Sequence, residues 1–389
     1  MAKQPSILLV SNYFPPERGA APNRIQVLAK ALHQRGYTVE VVCPLPNYPT
    51  GRVFSEFKGK LYSNRVENQI TVHRLWLWPS KSSNKFIRLL SMLSFSFALK
   101  LFFIFKRTPK LVVVQYSPVF VGFTAMLLST ILGKKKILNV SDLWPLAGLE
   151  MGLLKRGFYY SILERMERYC YKKADLIIGQ SQEILSHIAS FNVDTPLQLY
   201  RNFPDFNPPS LVPSKNDSTI KIVYAGLLGV AQGLSTILDH IDFPKNVELH
   251  IYGEGPDTKR LVNPKNLQIV YHGSVSRALL HQQLGNYDLA FIPLVKRIYG
   301  SVPSKIFEYS RMGLPLLYMA GGEGAALVNE HRLGWVIEVQ DYAGLEQFLK
   351  GLTRSTLEEF SKVEVQSRAI QAFDFNAQFQ DFIDTLKTL

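Results

Sequence analysis

The chain has 389 residues, 47% of them apolar, which is too long for one hydrophobic core, suits two domains and excludes a disordered or low-complexity protein. Cys43 and Cys170 are too few for a disulfide framework or a cysteine-based metal site, so two buried thiols in a reducing compartment are expected. The net charge of +13 sits in one half, residues 1–200 holding 26 Lys and Arg against 11 Asp and Glu while residues 201–389 hold 18 against 20. Such a basic half suits a polyanion or an anionic membrane surface. No zinc-finger spacing, RNA-recognition aromatics or Arg-rich tail accompanies it, which argues against nucleic acid.

The N-terminus carries an apolar run of about five residues, 7–11, which predicts a first β-strand and not a signal peptide, so a cytoplasmic location is expected. The run leads into NYFPPERGAAPNR (12–24), where Gly19, Ala20 and Ala21 remove side-chain bulk before a helix expected from about Pro22. Backbone there can approach a ligand, and Arg24 offers a planar fork to phosphate; Glu17 and Arg24 are candidates for acceptor contact. A plain strand-to-helix loop reads the same way.

Further strands are predicted at 38–43, 70–75, 111–116, 136–141 and 175–180. Residues 86–105 are long enough to span a bilayer, but Arg88, Lys100 and three serines interrupt them. Flanked by Lys81, Lys85, Lys106, Arg107 and Lys110, they read either as an amphipathic helix on a membrane surface or as an apolar helix packed on the first sheet. At the end of the fifth run, NVSDLWP places Asp142 where it can orient or deprotonate a hydroxyl, with Trp144 able to stack on a sugar. A helix-capping Asp with a packing Trp is the alternative.

Residues 202–218, with four prolines, read as an interdomain linker between a first domain at 1–201 and a second at 219–374. The second half predicts strands at 220–226, 247–253, 267–273, 288–294, 314–319 and 334–339, separated by helical segments, and the final 375–389 reads as an amphipathic helix expected to pack back on the first domain. The alternation in both halves predicts two doubly wound α/β domains whose strand C-termini face a common cleft. Glycine-bearing turns follow three strands of the second half, at Gly226, Gly253 and Gly273; any βα turn looks alike. Residues 303–322, PSKIFEYSRMGLPLLYMAGG, then place Lys305 and Glu308 on the opening turns of a helix. Lys305 can meet a diphosphate and Glu308 can accept two hydrogen bonds from the vicinal hydroxyls of a ribose, so its loss is expected to weaken nucleotide binding and leave the fold alone. A Ser-capped surface helix with a solvated Glu308 is the alternative.

The order of these pieces, FPPERGAAPNR, SDLWP, ADLIIGQSQEI, YRNFPD, YAGLLGVAQG, IYGEGP, HGSV and PSKIFEYSRMGLPLLYMAGGEGA, resembles the family-4 retaining glycosyltransferases of the GT-B architecture over nearly the whole chain. It is most similar to the branch that builds bacterial surface polysaccharides from nucleotide sugars on polyprenyl-diphosphate carriers. The resemblance implies that Glu308 holds the ribose, that Pro303, Ser304 and Lys305 lie at the donor diphosphate, and that Gly273, Ser274 and Val275 lie against the base. It places Gly19 beside donor and acceptor, and Gly226, Gly253, Gln232 and Arg297 on the donor side. Four positions depart from the pattern: Gly300 stands where much of the family has a second Glu, Leu227 and Gln232 replace an Arg and a Lys, and Ser141 replaces a His found in several relatives.

The resulting expectation is a transferase that moves a hexosyl or N-acetylhexosaminyl group from a nucleotide diphosphate, UDP being favoured, to a lipid-linked or polysaccharide-precursor acceptor. It would work at the inner face of a cytoplasmic membrane. Without an Asp-x-Asp signature no metal is expected, nor any cofactor besides the donor itself. A nucleotide-sugar epimerase of the same architecture and a non-catalytic GT-B-like binding subunit are the alternatives.

Overall fold

A computed structural model describes residues 4–389 except 49, 83, 212–217, 230, 231 and 262–266. The chain divides into two compact units, Met1–Asn202 with Gln378–Leu389, and Phe203–Ala377.

The first unit is built on eight strands: β1 (Ser6–Val10), β2 (Thr38–Pro44), β3 (Tyr62–Glu67), β4 (Ile70–Leu75), β5 (Leu111–Gln115), β6 (Lys135–Val140), β7 (Leu176–Gly179) and β8 (Leu197–Leu199). They lie in the order β3-β4-β2-β1-β5-β6-β7-β8, and only β3 runs antiparallel to its neighbour. The apolar runs Ile7–Val10 and Val112–Val114 are buried throughout, as parallel strands covered by helices on both faces must be. Strand order reverses between β1 and β5, the switch point where this architecture leaves a crevice at the strand C-termini. Sequence patterning missed β3 because most of it faces solvent, leaving no apolar run to read. Its hairpin to β4 turns through Asn68 and Gln69, both left-handed at φ 50° and 66°, the twist a two-residue hairpin favours.

The helix after the first loop begins at Ala20, two residues before Pro22, with Gly19 at φ 137° before it. The helix Lys85–Phe105 lays Phe95, Leu99, Phe102 and Phe103 on the sheet, and the His73 ring of β4 meets Phe102 at 5.1 Å. No helix among the described residues is long and apolar enough to cross a membrane. At the chain's end, Phe375–Thr388 buries Phe379, Phe382, Ile383 and Leu386. Tyr200 packs on Phe382 at 5.3 Å, and Gln378 exchanges hydrogen bonds with both backbone groups of Arg201.

The second unit carries six parallel strands, β9 (Ile220–Ala225), β10 (Val247–Tyr252), β11 (Ile269–Gly273), β12 (Leu289–Pro293), β13 (Leu316–Met319) and β14 (Gly334–Ile337), in the order β11-β10-β9-β12-β13-β14. Here the switch point falls between β9 and β12. Of the segment read as a linker, residues 203–211 lie against this unit. Phe203 packs on Phe307 at 5.1 Å, Arg311 donates to the Phe206 carbonyl, and Gln366 donates to that of Pro209. The remainder, 212–217, lies outside the described residues.

Candidate active site

In the second unit, the strand ends around the switch point bring three glycine turns side by side. Gly226 donates its N–H to the Tyr252 carbonyl at 3.0 Å, and Gly253 donates to that of Gly273 at 2.8 Å. Gly253 is irreplaceable on two counts: its φ is 139°, and a Cβ there would lie 1.8 Å from the Gly226 carbonyl oxygen. Gly273 is left-handed at φ 72° with open space around it, and exposed Ser274 and half-buried Val275 follow before the helix Arg277–Leu284.

Beyond β12, Pro303 and Ser304 lead into the helix Lys305–Arg311, whose first turn carries Lys305 and Glu308. Ser304 makes no capping bond with its side chain, and Glu308 is buried at 8% exposure, so the solvated-carboxylate alternative does not hold. Lys305 Nζ donates to Glu308 Oε2 at 3.1 Å; Arg277 Nε, at 3.1 Å, and His281 Nε2, at 2.9 Å, meet Oε1. Burial pushes the Glu308 carboxyl up, but Lys305, His281 and Arg277 outweigh it and hold the group far below the ordinary carboxylate range. Burial likewise pulls Lys305 down, while Tyr309 and Glu308 more than restore it. Both groups are therefore charged at neutral pH. The carboxylate keeps acceptor capacity on Oε2, where one cation contacts it and two lone-pair directions exist.

Arg277 and His281 escaped the sequence reading because they lie 31 and 27 residues from Glu308 and reach it only through the fold. A basic residue at the start of a helix after a glycine turn was the one available signal. Arg297, after β12, packs over Gly322, where a Cβ would sit 2.3 Å from its Nε, and its guanidinium lies 5.8 Å from the Tyr299 ring.

In the first unit, the ends of β5, β6 and β7 and the first helix converge on Ser141. Gln115 Nε2 donates to Ser141 Oγ at 2.6 Å, Arg24 Nη2 donates to the same oxygen at 3.0 Å, and Arg24 Nη1 donates to Gln180 Oε1 at 2.9 Å. The fork that the sequence offered to phosphate is thus engaged within the protein. Burial brings the Arg24 guanidinium down to about 10, and the Asp142 carboxylate opposes that shift. Asp142 itself stands exposed beside the network, with Ser141 Oγ 3.4 Å from its Oδ2. The Trp144 ring is half-buried over Gly148, where a Cβ would come within 2.5 Å of it, and its carbonyl accepts from Tyr116 Oη at 2.7 Å. One edge of the indole is therefore packed within the protein.

Glu17 differs more sharply from the expected acceptor contact. It is 3% exposed and its carboxylate accepts the N–H groups of Asn47 and Tyr48, each at 2.8 Å, and of Phe14 at 3.4 Å. It braces two loops instead of meeting solvent. Gly19 stands exposed beside this brace, with Tyr48 Cε1 3.9 Å from the site of its absent Cβ.

Two family models match the chain, a glycosyl transferase 4-like domain over residues 19–200 and glycosyl transferases group 1 over residues 219–354. The chain belongs to the family-4 GT-B glycosyltransferases. Solved structures share the fold along its whole length. Sucrose-phosphate synthase from Thermosynechococcus elongatus is 14% identical with a TM-score of 0.77, covering 99% of each chain. Anabaena HepE in complex with UDP-glucose is 14% identical with a TM-score of 0.69, covering 99% of this chain and all of the other. WaaG, a glycosyltransferase involved in lipopolysaccharide biosynthesis, is 14% identical with a TM-score of 0.63, covering 97% and 99%. No curated protein matches the chain in sequence.

Within this glycosyltransferase one departure from the pattern, Gly300, has a local explanation. Gly300 is left-handed at φ 81°, a conformation in which a Glu side chain would be strained. Leu227 is 57% exposed, and Gln232 is half-buried with Oε1 lacking a hydrogen-bond partner. Both follow β9, whereas the cations Lys305 and Arg277 meet at Glu308 and Arg297 lies against Gly322.

Proposed function

We propose that the glycosyltransferase moves a hexosyl or N-acetylhexosaminyl group from a UDP-sugar to a hydroxyl of a lipid-linked surface-glycan precursor, with retention of anomeric configuration. The observation that carries this reading is the buried Glu308 carboxylate with Lys305, Arg277 and His281 around it, at the switch point of the second sheet. A charged acceptor beside cations suits a ligand with vicinal hydroxyls next to a diphosphate. HepE, with the same fold, has been seen with UDP-glucose.

Retention needs no protein nucleophile if the leaving diphosphate takes the proton of the incoming hydroxyl on the face it departs from. The C1–O bond to the diphosphate breaks as the bond from the acceptor oxygen to C1 forms. The protein's share is to position both partners and to stabilise the negative charge left on the diphosphate. Lys305 is the residue for that charge, with Arg297 as a second candidate, and Asp142 orients the acceptor hydroxyl. Glu308 and Gly273 to Val275 hold the nucleoside, while Gly226, Gly253, Gln232, Pro303 and Ser304 frame the donor. The sequence has no Asp-x-Asp signature, so the reaction is proposed to need no metal, and chelator should leave turnover unchanged.

The basic first half and the flanks of the helix Lys85–Phe105 fit an enzyme held at the inner face of a cytoplasmic membrane, where a lipid-linked acceptor resides. The deciding experiment is a thermal-shift panel of nucleotides and nucleotide sugars, followed by sugar transfer with and without a lipid-linked acceptor. A UDP-sugar at 100 times its dissociation constant should add about 2.7 kcal/mol of stability. A chain stabilised by no nucleotide, or one that interconverts the donor sugar without an acceptor, would overturn the reading.

A further inference from the structure

We infer that a cavity at the C-terminal ends of β2 and β4 binds the phosphorylated head of a single lipid, whose hydrocarbon chain lies along the helix Lys85–Phe105. This rests on the lipid-linked acceptor proposed above and supplies it with a site.

The cavity measures about 1090 Å³ and lies entirely within the first unit. Its apolar wall includes Trp76, Leu77 and Trp78 beyond β4, with Leu45 beyond β2 and Leu61 across from them. Trp78 is 55% exposed and Leu61 74%, an arrangement unfavourable in water unless something covers it. The rim carries Arg52, Lys58, Lys60 and Lys81, all exposed, and no Asp or Glu is among the lining residues. Glu56, between the lining residues Ser55 and Phe57, is paired with Arg65 at 3.2 Å, so the four rim cations favour an anion, and a phosphate or diphosphate ester matches them. Indoles at a boundary between apolar wall and charged rim are suited to an amphiphile.

The walls are fixed. Gly51 is left-handed at φ 64° and so close to the other loop that a Cβ would lie 2.2 Å from the Ser80 carbonyl oxygen. Trp76 donates its N–H to the Leu61 carbonyl at 2.9 Å, and Trp78 donates to Ser94 Oγ at 2.7 Å, tying the wall to the helix.

From the cavity an apolar track leads away. Ile87 lines the cavity, and Leu90, Leu93, Phe97, Leu101 and Ile104 follow at spacings of three or four residues, each 39–60% exposed. They form one stripe about 26 Å long at ~1.5 Å per residue. The opposite face of the helix is buried in the protein, so this stripe is free to carry a hydrocarbon chain that begins at the cationic rim.

The test uses farnesyl diphosphate, a soluble phosphorylated isoprenoid, with binding followed through tryptophan fluorescence, since Trp76 and Trp78 line the cavity. Saturable binding is expected, at least about tenfold tighter than that of inorganic diphosphate, because the chain contributes through apolar burial. Removing Lys58, Lys60 and Lys81 together as alanines should weaken it at least about tenfold, the scale of a few charge contacts. Trp78→Ala, at an exposed position, should weaken binding and remove most of the fluorescence change. Binding should persist in Lys305→Ala, which separates it from the nucleotide site. Equal affinity for inorganic diphosphate, or indifference to the lysine and Trp78 substitutions, would overturn the proposal. Failure here is distinct from failure of the proposed function. Transfer to a lipid-linked acceptor with an unchanged KM in the triple-lysine variant would remove the cavity and keep the activity. Farnesyl diphosphate binding without transfer to any lipid acceptor would keep the cavity and remove the acceptor.

Discussion

Tyr309 donates its hydroxyl proton to the carbonyl of Ala225 across 2.7 Å, pinning the helix that carries Lys305 and Glu308 to the last residue of β9. Both groups are buried, and burial raises the pKa of the phenol, which keeps it a donor. Tyr309→Phe leaves that carbonyl unpaired and should cost about 1–3 kcal/mol of stability. Urea unfolding measures the loss, and UDP affinity measured by calorimetry should fall with it as the helix loosens. An unchanged midpoint would mean that the helix is held in place by packing alone.

Glu308→Ala should weaken UDP binding by about 1.5–3 kcal/mol, because a charged acceptor of hydroxyl hydrogen bonds disappears. The sequence suggested that the fold would hardly notice. The structure alters that expectation, since the substitution leaves Lys305 without its carboxylate partner; that side chain is 29% exposed and stays partly hydrated, so the loss should be about 1–3 kcal/mol, below that of a fully buried pair. Glu308→Gln, which keeps the shape and one acceptor oxygen, should lose less on both counts.

The depressed pKa of Glu308 also sets a pH dependence. The folded state favours the ionised form, so its contribution to stability is fully present above the ordinary carboxylate value of 4.5 and is lost as pH falls toward the folded value. Below about pH 4.5 the wild-type unfolding midpoint should therefore drop more steeply than that of Glu308→Gln. Parallel curves from pH 5 to pH 3 would show that other carboxylates govern acid unfolding.

Asp142 is exposed beside the Ser141 network and belongs to the acceptor side of the proposal. Asp142→Asn should lower kcat by on the order of 10²-fold with little change in donor affinity. A normal kcat would return Asp142 to a purely structural role at the end of β6.

Neutralising Lys81, Lys85, Lys106, Arg107 and Lys110 together should release the enzyme from anionic vesicles, each charge being worth about 1 kcal/mol near such a surface. Raised salt should act alike, because attraction between exposed charges is screened beyond about 8 Å at physiological ionic strength. Co-sedimentation across a salt series reads both effects. Binding that ignores both would place the anchoring in the apolar stripe alone.

The parallel strands were legible because their apolar runs have to be buried on both faces, so Ile7–Val10, Val112–Val114 and Leu289–Ile292 announce themselves without context. The exposed edge strand β3 and the three-residue β8 carry no such signature. Lys305 and Glu308 could be singled out because one helical turn separates them. Arg277 and His281 join them only when the turn after β11 brings another helix alongside. Glu17 was misjudged for a related reason: an acidic residue in a Pro-rich loop looks solvated until the N–H groups of Asn47 and Tyr48, thirty residues later, are seen to point at it.

That carboxylate has a mechanical consequence. By gripping Phe14 on one side and Asn47 with Tyr48 on the other, Glu17 turns two separate loops into one stiff piece, with exposed Gly19 at one end and the Gly51 wall of the cationic cavity at the other. Sliding one loop past the other would therefore have to strip N–H partners from a buried carboxylate, where a merely packed pair of loops could shift by repacking side chains.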